Sequence, residues 1–308
     1  MRELKILGVL VFFTLLLYWG VEPYAHSKMH HHVEPADFKF SDLKAINYKG
    51  DAKKGKELIV NAGCTGCHGI KAAKMPAPMP KDAAAASFGV APPDLSDAGL
   101  IYDENYLKHF ILNPTHATLT AKKFNAKKPF PMPGFFGVGG DKNKEVSDIV
   151  AFLKSIAPKE LSNKETFVAA CGRCHSVKYD KLSQLGDEPK FKGESDRLAY
   201  KLKVSKYLDH VKKYMGATPP DLSIIIRARS KEYLETFIDN PQKELKGTSM
   251  PRVGLTKEST EKVISYLESV GDSKKAERES LIPKVIGFLI IFTLFAYLWK
   301  SKLWREVH

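Results

Sequence analysis

The stretch Cys64-Thr65-Gly66-Cys67-His68 reads C-x-x-C-H, and Cys171-Gly172-Arg173-Cys174-His175 repeats it. Together the two copies use all 4 cysteines of the chain. Two cysteines at this spacing can form thioether bonds to the two vinyl groups of one haem, and the histidine behind them is placed to bind the iron. A zinc site would bring C-x-x-C pairs together on one metal and would not need a histidine directly after each pair. A thioredoxin-like motif would lie among strands, and no strand signal surrounds either copy. The pattern therefore points to two covalently attached haem c groups, on Cys64, Cys67 and His68 and on Cys171, Cys174 and His175. No cysteine remains for a disulfide framework. Covalent attachment places the motifs on the oxidising outer side of a bacterial membrane.

A length of 308 residues suggests about two domains. Lys+Arg number 48 against Asp+Glu 35, a formal charge of +13. That surplus suits acidic partners or anionic lipid heads. The basic residues are spread out with no recognition motif, so nucleic acid is not an expected partner.

Both ends are apolar. A short basic lead, Met1 to Lys5, precedes the run Ile6–Val21, with Trp19 and Tyr24 as interface anchors. With its flanks the run approaches the ~20 residues that a membrane helix needs. We read it as a retained anchor. The alternative is a signal peptide cut at Ala25-His26-Ser27. The cluster His30, His31 and His32, with His26 upstream, reads as an interfacial loop, since no cysteine or carboxylate pattern completes a metal site. At the other end, Val285–Trp299 is apolar and Lys300, Lys302 and Arg305 follow. With Leu281–Lys284 it spans a bilayer if Lys284 snorkels outward, and the basic tail stays inside.

Between the ends, the first motif follows a predicted helix in Asp51–Gly63, with Asp51 as N-cap and Leu58 and Val60 facing inward. Then come a rigid turn at Pro92-Pro93-Asp94-Leu95-Ser96, a helix in Tyr106–Leu112 stopped by Asn113-Pro114, a proline-braced loop around Met132, and a helix in Glu145–Ile156. The last helix buries Val146, Ile149, Val150, Phe152, Leu153 and Ile156. The same landmarks recur in order. Pro219-Pro220-Asp221-Leu222-Ser223 repeats the turn letter for letter, Tyr233–Pro241 repeats Tyr106–Pro114, Met250-Pro251 matches Met132-Pro133, and Thr260–Val270 matches the final helix. The second copy holds about twenty more residues between haem motif and turn, including a helical stretch at Glu194–Met215.

The repeat selects the second iron ligands. Met132 and Met250 occupy the same place, so they are the expected partners of His68 and His175, and methionine raises the reduction potential. Met75, Met79 and Met215 are read as packing residues, with His109 and His116 as alternative ligands in the first half. The proline turns, Pro92 and Pro93 and again Pro219 and Pro220, are expected to press on the haem edge. They would also offer a carbonyl to the histidine ring N–H, which fixes the ring and raises its basicity.

Gly216–Arg229 (GATPPDLSIIIRAR) resembles the proline-turn and arginine region of cytochrome c1, and the single C-terminal anchor with a short polar tail is similar too. Cytochrome c1 ordinarily carries one haem and this chain has two motifs. The chain as a whole looks like the two-haem cytochrome c subunit that takes the place of cytochrome c1 in some bacterial bc1 complexes. The resemblance implies a mainly α fold of two tandem cytochrome c-type domains, 45–157 and 162–272. These would lie between an N-terminal anchor and connector (1–35) and a C-terminal transmembrane helix and tail (281–308). It implies that Arg227 or Arg229 contacts a haem propionate. It also implies an electron-transfer subunit, not an enzyme by itself, of quinol–cytochrome c reductase in the bacterial inner membrane, with its haem domains periplasmic. The partners would be cytochrome b, a Rieske iron–sulfur protein and a downstream cytochrome c or terminal oxidase, in a dimeric complex. The alternative is a membrane-anchored two-haem shuttle or oxidase subunit without a Rieske partner.

Overall fold

The computed structural model describes residues 2–30, 36–125 and 127–305. His31 and His32 lie outside the described residues, as do the side chains of His26 and His30.

Helix α1 (Arg2–Leu16) runs through a π-helical turn, Leu17–Val21, into α2 (Glu22–His30). Residues 36–51, without helix or strand, form a strap that leads into α3 (Ala52–Asn61). Asp51 caps α3 by accepting from the Lys53 N–H at 2.9 Å, while its own N–H donates to Asp148 at 2.6 Å. The buried face of α3 is Gly55 and Ile59, with Leu58 packing at its border. Val60, expected to face inward, is 50% exposed. Gly55 and Ile59 are four apart and share one face, so the next residue turns about 100° toward solvent. Gly55 is required by the approach of the chain behind it, because a Cβ there would meet the Asp148 carbonyl oxygen at 2.0 Å.

The first half continues through α4 (Lys81–Phe88), α5 (Ala98–Ile101), α6 (Glu104–Leu112), α7 (Pro114–Ala117) and α8 (Lys142–Ile156). Ile59, Ile70, Leu107, Ile111 and the α8 residues Val146, Ile149, Val150, Phe152 and Leu153 close one core. Asn113 ends α6 and caps α7, accepting from the His116 N–H with Pro114 at the first helical position.

The second half holds α9 (Asn163–Ala170), a short hairpin of β1 (Leu182–Ser183) and β2 (Gly186–Asp187), and α10 (Glu194–Met215). After these come α11 (Ile225–Ala228), α12 (Lys231–Asp239), α13 (Pro241–Glu244) and α14 (Lys257–Gly271). Ser162 starts α9 with a capping box to Glu165. The second core gathers Phe167, Val177, Leu182, Leu234, Val263, Ile264 and Leu267, and Ile101 of the first half packs into it. The Asn113 arrangement recurs at Asn240, which caps α13 at φ −146° and ψ 86° against −148° and 86°.

A seam joins the halves. The segment after Met250 runs along the first half. Asp103 N–H donates to the Gly254 carbonyl, Thr256 N–H to Ile101 and the Tyr106 hydroxyl to Arg252, at 3.0, 3.0 and 2.7 Å. Gly254 has φ +77° and lies so close to the Tyr106 ring that a Cβ would sit 2.0 Å from a ring carbon. Arg252, 3% exposed, forms a bidentate pair with Asp42 of the strap at 2.7 and 3.0 Å and donates from Nε to Ala117. The strap also meets the first half, where Asn105 Nδ2 donates to the Leu43 carbonyl at 3.2 Å. In the other direction α10 packs on α4, and its Tyr214 hydroxyl donates to the Pro129 carbonyl in the loop that carries Met132.

The final helix α15 (Lys275–Arg305) is continuous through Pro283. Arg2–Ala25 and Lys275–Arg305 are both long and apolar enough to cross a membrane, and their apolar windows are wholly exposed. Glu3 and Lys300 pair at 2.7 Å, joining one end of each.

Candidate haem sites

The two C-x-x-C-H motifs form the same tight turn. His68 N–H donates to the Cys64 carbonyl at 3.0 Å and His175 N–H to Cys171 at 3.0 Å. All four thiols are free of disulfides. Burial pushes the Cys171 thiol up to about 12 and raises Cys64 and Cys174 as well. Such thiols are poor thiolates, which disfavours thiol–disulfide exchange. Among the described residues no group of three His, Cys, Asp or Glu could hold a metal ion by itself.

Each histidine ring is held by its proline turn. His68 Nδ1 lies 2.9 Å from the Pro93 carbonyl and His175 Nδ1 2.9 Å from the Pro220 carbonyl. A carbonyl can only accept, so Nδ1 carries the proton and Nε2 keeps its lone pair for iron. Burial lowers both imidazole pKa values, with the proline carbonyls opposing it, and the neutral form is the ligating one. The donor set thus fits a haem c: two thiols, an oriented neutral imidazole and a methionine in the same half.

The turns are themselves fixed by the chain that follows each motif, and here the repeat extends further than the sequence reading found. Leu95 N–H donates to the Gly69 carbonyl at 2.8 Å, as Leu222 N–H does to Ser176 at 2.9 Å. Ala72 N–H donates to the Ser96 hydroxyl at 3.0 Å and Tyr179 N–H to the Ser223 hydroxyl at 3.1 Å. Asp94 and Asp221 each accept from the N–H of the serine two residues on. The bridge Ile70↔Met75 has its counterpart in Val177↔Leu182, with left-handed Lys74 and Lys181 at matching places. Met75 therefore corresponds to Leu182, which cannot ligate iron.

Met132 borders the first core, and Met250 is half-buried with its N–H on the Thr248 hydroxyl at 3.3 Å. Met75 also packs on the first core. Met79 and Met215 meet in one apolar cluster in the seam, with Ala84, Ala85, Tyr207 and Val211. Ring Nε2 of His109 is bonded to the Lys44 carbonyl of the strap at 2.7 Å, and His116 is exposed. Arg227 and Arg229 are exposed; Arg227 pairs with Asp272 at 3.3 Å, and Arg229 lies 5.3 Å over the Tyr233 ring.

Three residues of the sites were missed from sequence. Gln184, 1% exposed, donates from Nε2 to the Cys174 carbonyl at 3.0 Å. Tyr207, also 1% exposed, donates to the Arg173 carbonyl at 2.9 Å and accepts from the Ala91 N–H at 3.2 Å. It links the second haem motif to the turn behind His68. Nothing in the pattern of α10 marks Tyr207. Arg173 carried a signal, since between Arg2 and Arg173 the sequence has no arginine.

Residues 52–157 match the family model of cytochrome c, a span that opens at α3 and closes just after α8. No curated protein matches the chain, and neither does any solved structure.

Proposed function

We propose, from the cytochrome c domain in the first half, that the chain is a c-type cytochrome that binds haem c covalently and carries electrons. We propose that it carries two haems in two tandem cytochrome c-type domains and is the membrane-anchored electron-transfer subunit of a bacterial quinol–cytochrome c reductase, in the place of cytochrome c1. One observation carries the two-haem reading: the histidine of each motif is held at 2.9 Å by the second proline of its own turn. A lone haem site would leave the second bracket without a task.

Haem c supplies a one-electron couple that needs no open iron position when two strong ligands close it. In each half, Cys64 and Cys67 or Cys171 and Cys174 attach the group. His68 with Met132, and His175 with Met250, are the ligand pairs, and Pro93 or Pro220 fixes the imidazole. The segments Arg2–Ala25 and Lys275–Arg305 anchor the chain in the inner membrane, with both halves periplasmic. The second half runs directly into α15 and carries the cytochrome c1-like stretch, so its site takes the electron from a Rieske iron–sulfur protein. The first site passes the electron to a downstream cytochrome c or oxidase. Mild solubilisation followed by affinity purification tests the assignment. Cytochrome b and a Rieske protein are expected to co-purify in stoichiometric amount. Purification with an oxidase, and without a Rieske protein, would replace the reductase with an oxidase-linked shuttle.

A further inference from the structure

The two sites are matched in how they hold histidine, but not in positive charge. No arginine lies between Arg2 and Arg173, so the first half has no guanidinium of its own. A haem c nevertheless brings two propionate carboxylates, and a buried carboxylate requires a paired donor. Two arginines of the second half enter the seam. Arg252 is committed, with Nε on Ala117 and both terminal nitrogens on Asp42.

Arg173 has no such carboxylate partner and is hydrogen-bonded to Tyr102. Its guanidinium interacts with Tyr102 of the first half and with Tyr207, and its charge acts on His68 across the seam. Its Nε is buried without a hydrogen-bond partner. The groups coupled to its charge include Tyr102, Tyr207, Cys174, His68 and Lys81, and among the described residues no ion pair joins it to a carboxylate. A buried guanidinium with no carboxylate and an orphaned Nε is costly, and its planar fork matches a carboxylate edge. The backbone at Arg173 is fixed as well. Its carbonyl accepts from Tyr207, and Tyr207 accepts from Ala91, next to the turn whose Pro93 holds His68.

We propose that Arg173, though inside the second C-x-x-C-H motif, is the guanidinium partner of the first haem's propionates, held across the seam by Tyr207. This rests on the reading that both motifs carry haem. It makes one residue part of two haem sites, so a change in the second motif is felt at the first haem.

The test is a redox titration of the full chain in detergent, with haem content per chain measured beforehand in the wild type and in every variant. The first haem's signal is identified by its loss in the Cys64→Ala/Cys67→Ala variant. In Arg173→Gln with two haems retained, the first haem's reduced-to-oxidised ratio at fixed potential is expected to fall about tenfold, 59 mV for one electron. Its potential should also become more pH-dependent, because a buried propionate without its guanidinium has a raised pKa. Arg173→Lys, which keeps the charge and loses the fork, should shift it less. If Arg173→Gln fails to mature, Arg173→Lys and Tyr207→Phe carry the test, each shifting the first haem downward. An unchanged first-haem potential and pH profile, or a shift confined to the second haem, overturns the proposal. A single haem in the wild type would instead refute the two-haem reading on which it rests.

Discussion

The two sites hold their histidines in the same way and brace their methionines in opposite ways. The bracket of turn, serine, aspartate and proline carbonyl repeats bond for bond in each half. The Met250 segment, by contrast, is held by the first half, through Asp103, Tyr106 and Thr118. The Met132 loop is held in turn by Tyr214 of the second half's long helix. The repeat keeps the local contacts that orient each histidine and leaves the segment of each matching methionine supported across the seam. Local bonds within a short segment survive duplication unchanged, whereas loops adapt to whatever packs against them.

The largest expected effect would break the equivalence outright. Replacing Cys64 and Cys67 with alanine, or Cys171 and Cys174, should halve the haem content in either case, measured as the pyridine haemochrome per chain. Loss in one variant only would show that the halves are unlike. Next, Met132→Leu and Met250→Leu should each remove the methionine–iron absorption band of one haem and lower that haem's potential. Met75→Leu should change neither, because leucine already stands at the corresponding Leu182. A lost band in Met75→Leu would reverse the ligand assignment.

Smaller effects sharpen the contrast in packing. Gly55→Val drives a side chain into the Asp148 carbonyl and should cost about 3 kcal/mol in the unfolding of the first half, read by thermal or denaturant melts. The matching helix α9 contains no glycine, so it has no counterpart of this close approach. Arg252→Ala removes the pair with Asp42 and should cost about 2 kcal/mol, below the range for fully buried pairs because Asp42 is half-exposed. The smallest effect is an acid step in that same contact. Burial alone would raise the Asp42 carboxyl, but hydrogen bonds and charge from Arg252 hold it below its ordinary 3.8. A depressed carboxylate contributes stability above that value and loses it as pH falls through the folded pKa. The strap should therefore loosen below about pH 4, seen as faster amide exchange at Leu43 and Ile46, and Arg252→Ala should abolish the step.

Much of this was legible in the sequence because it is written locally. The Asp51 cap, the Asn113-Pro114 and Asn240-Pro241 stops, the bounds of the inserted helix and the partner for each histidine follow from residues within one turn or one repeat. Val60 was misplaced because two apolar neighbours, Ile59 and Val60, compete for one face, and the close approach at Gly55 decides between them. The seam was not legible. Tyr207, Tyr214 and Arg252 meet residues more than eighty positions away, and no periodicity encodes that. The strap from Phe40 to Ile46 lacks helical spacing, yet Phe40 and Leu43 are buried against Tyr106 and Ala117.

The measurement closest to the central claim is the haem content of the purified full chain, by pyridine haemochrome against protein concentration and by intact mass. Two covalent haems per chain are expected, with each C-x-x-C-H peptide carrying one. A single haem, confined to the Cys64–Cys67 peptide, would contradict it.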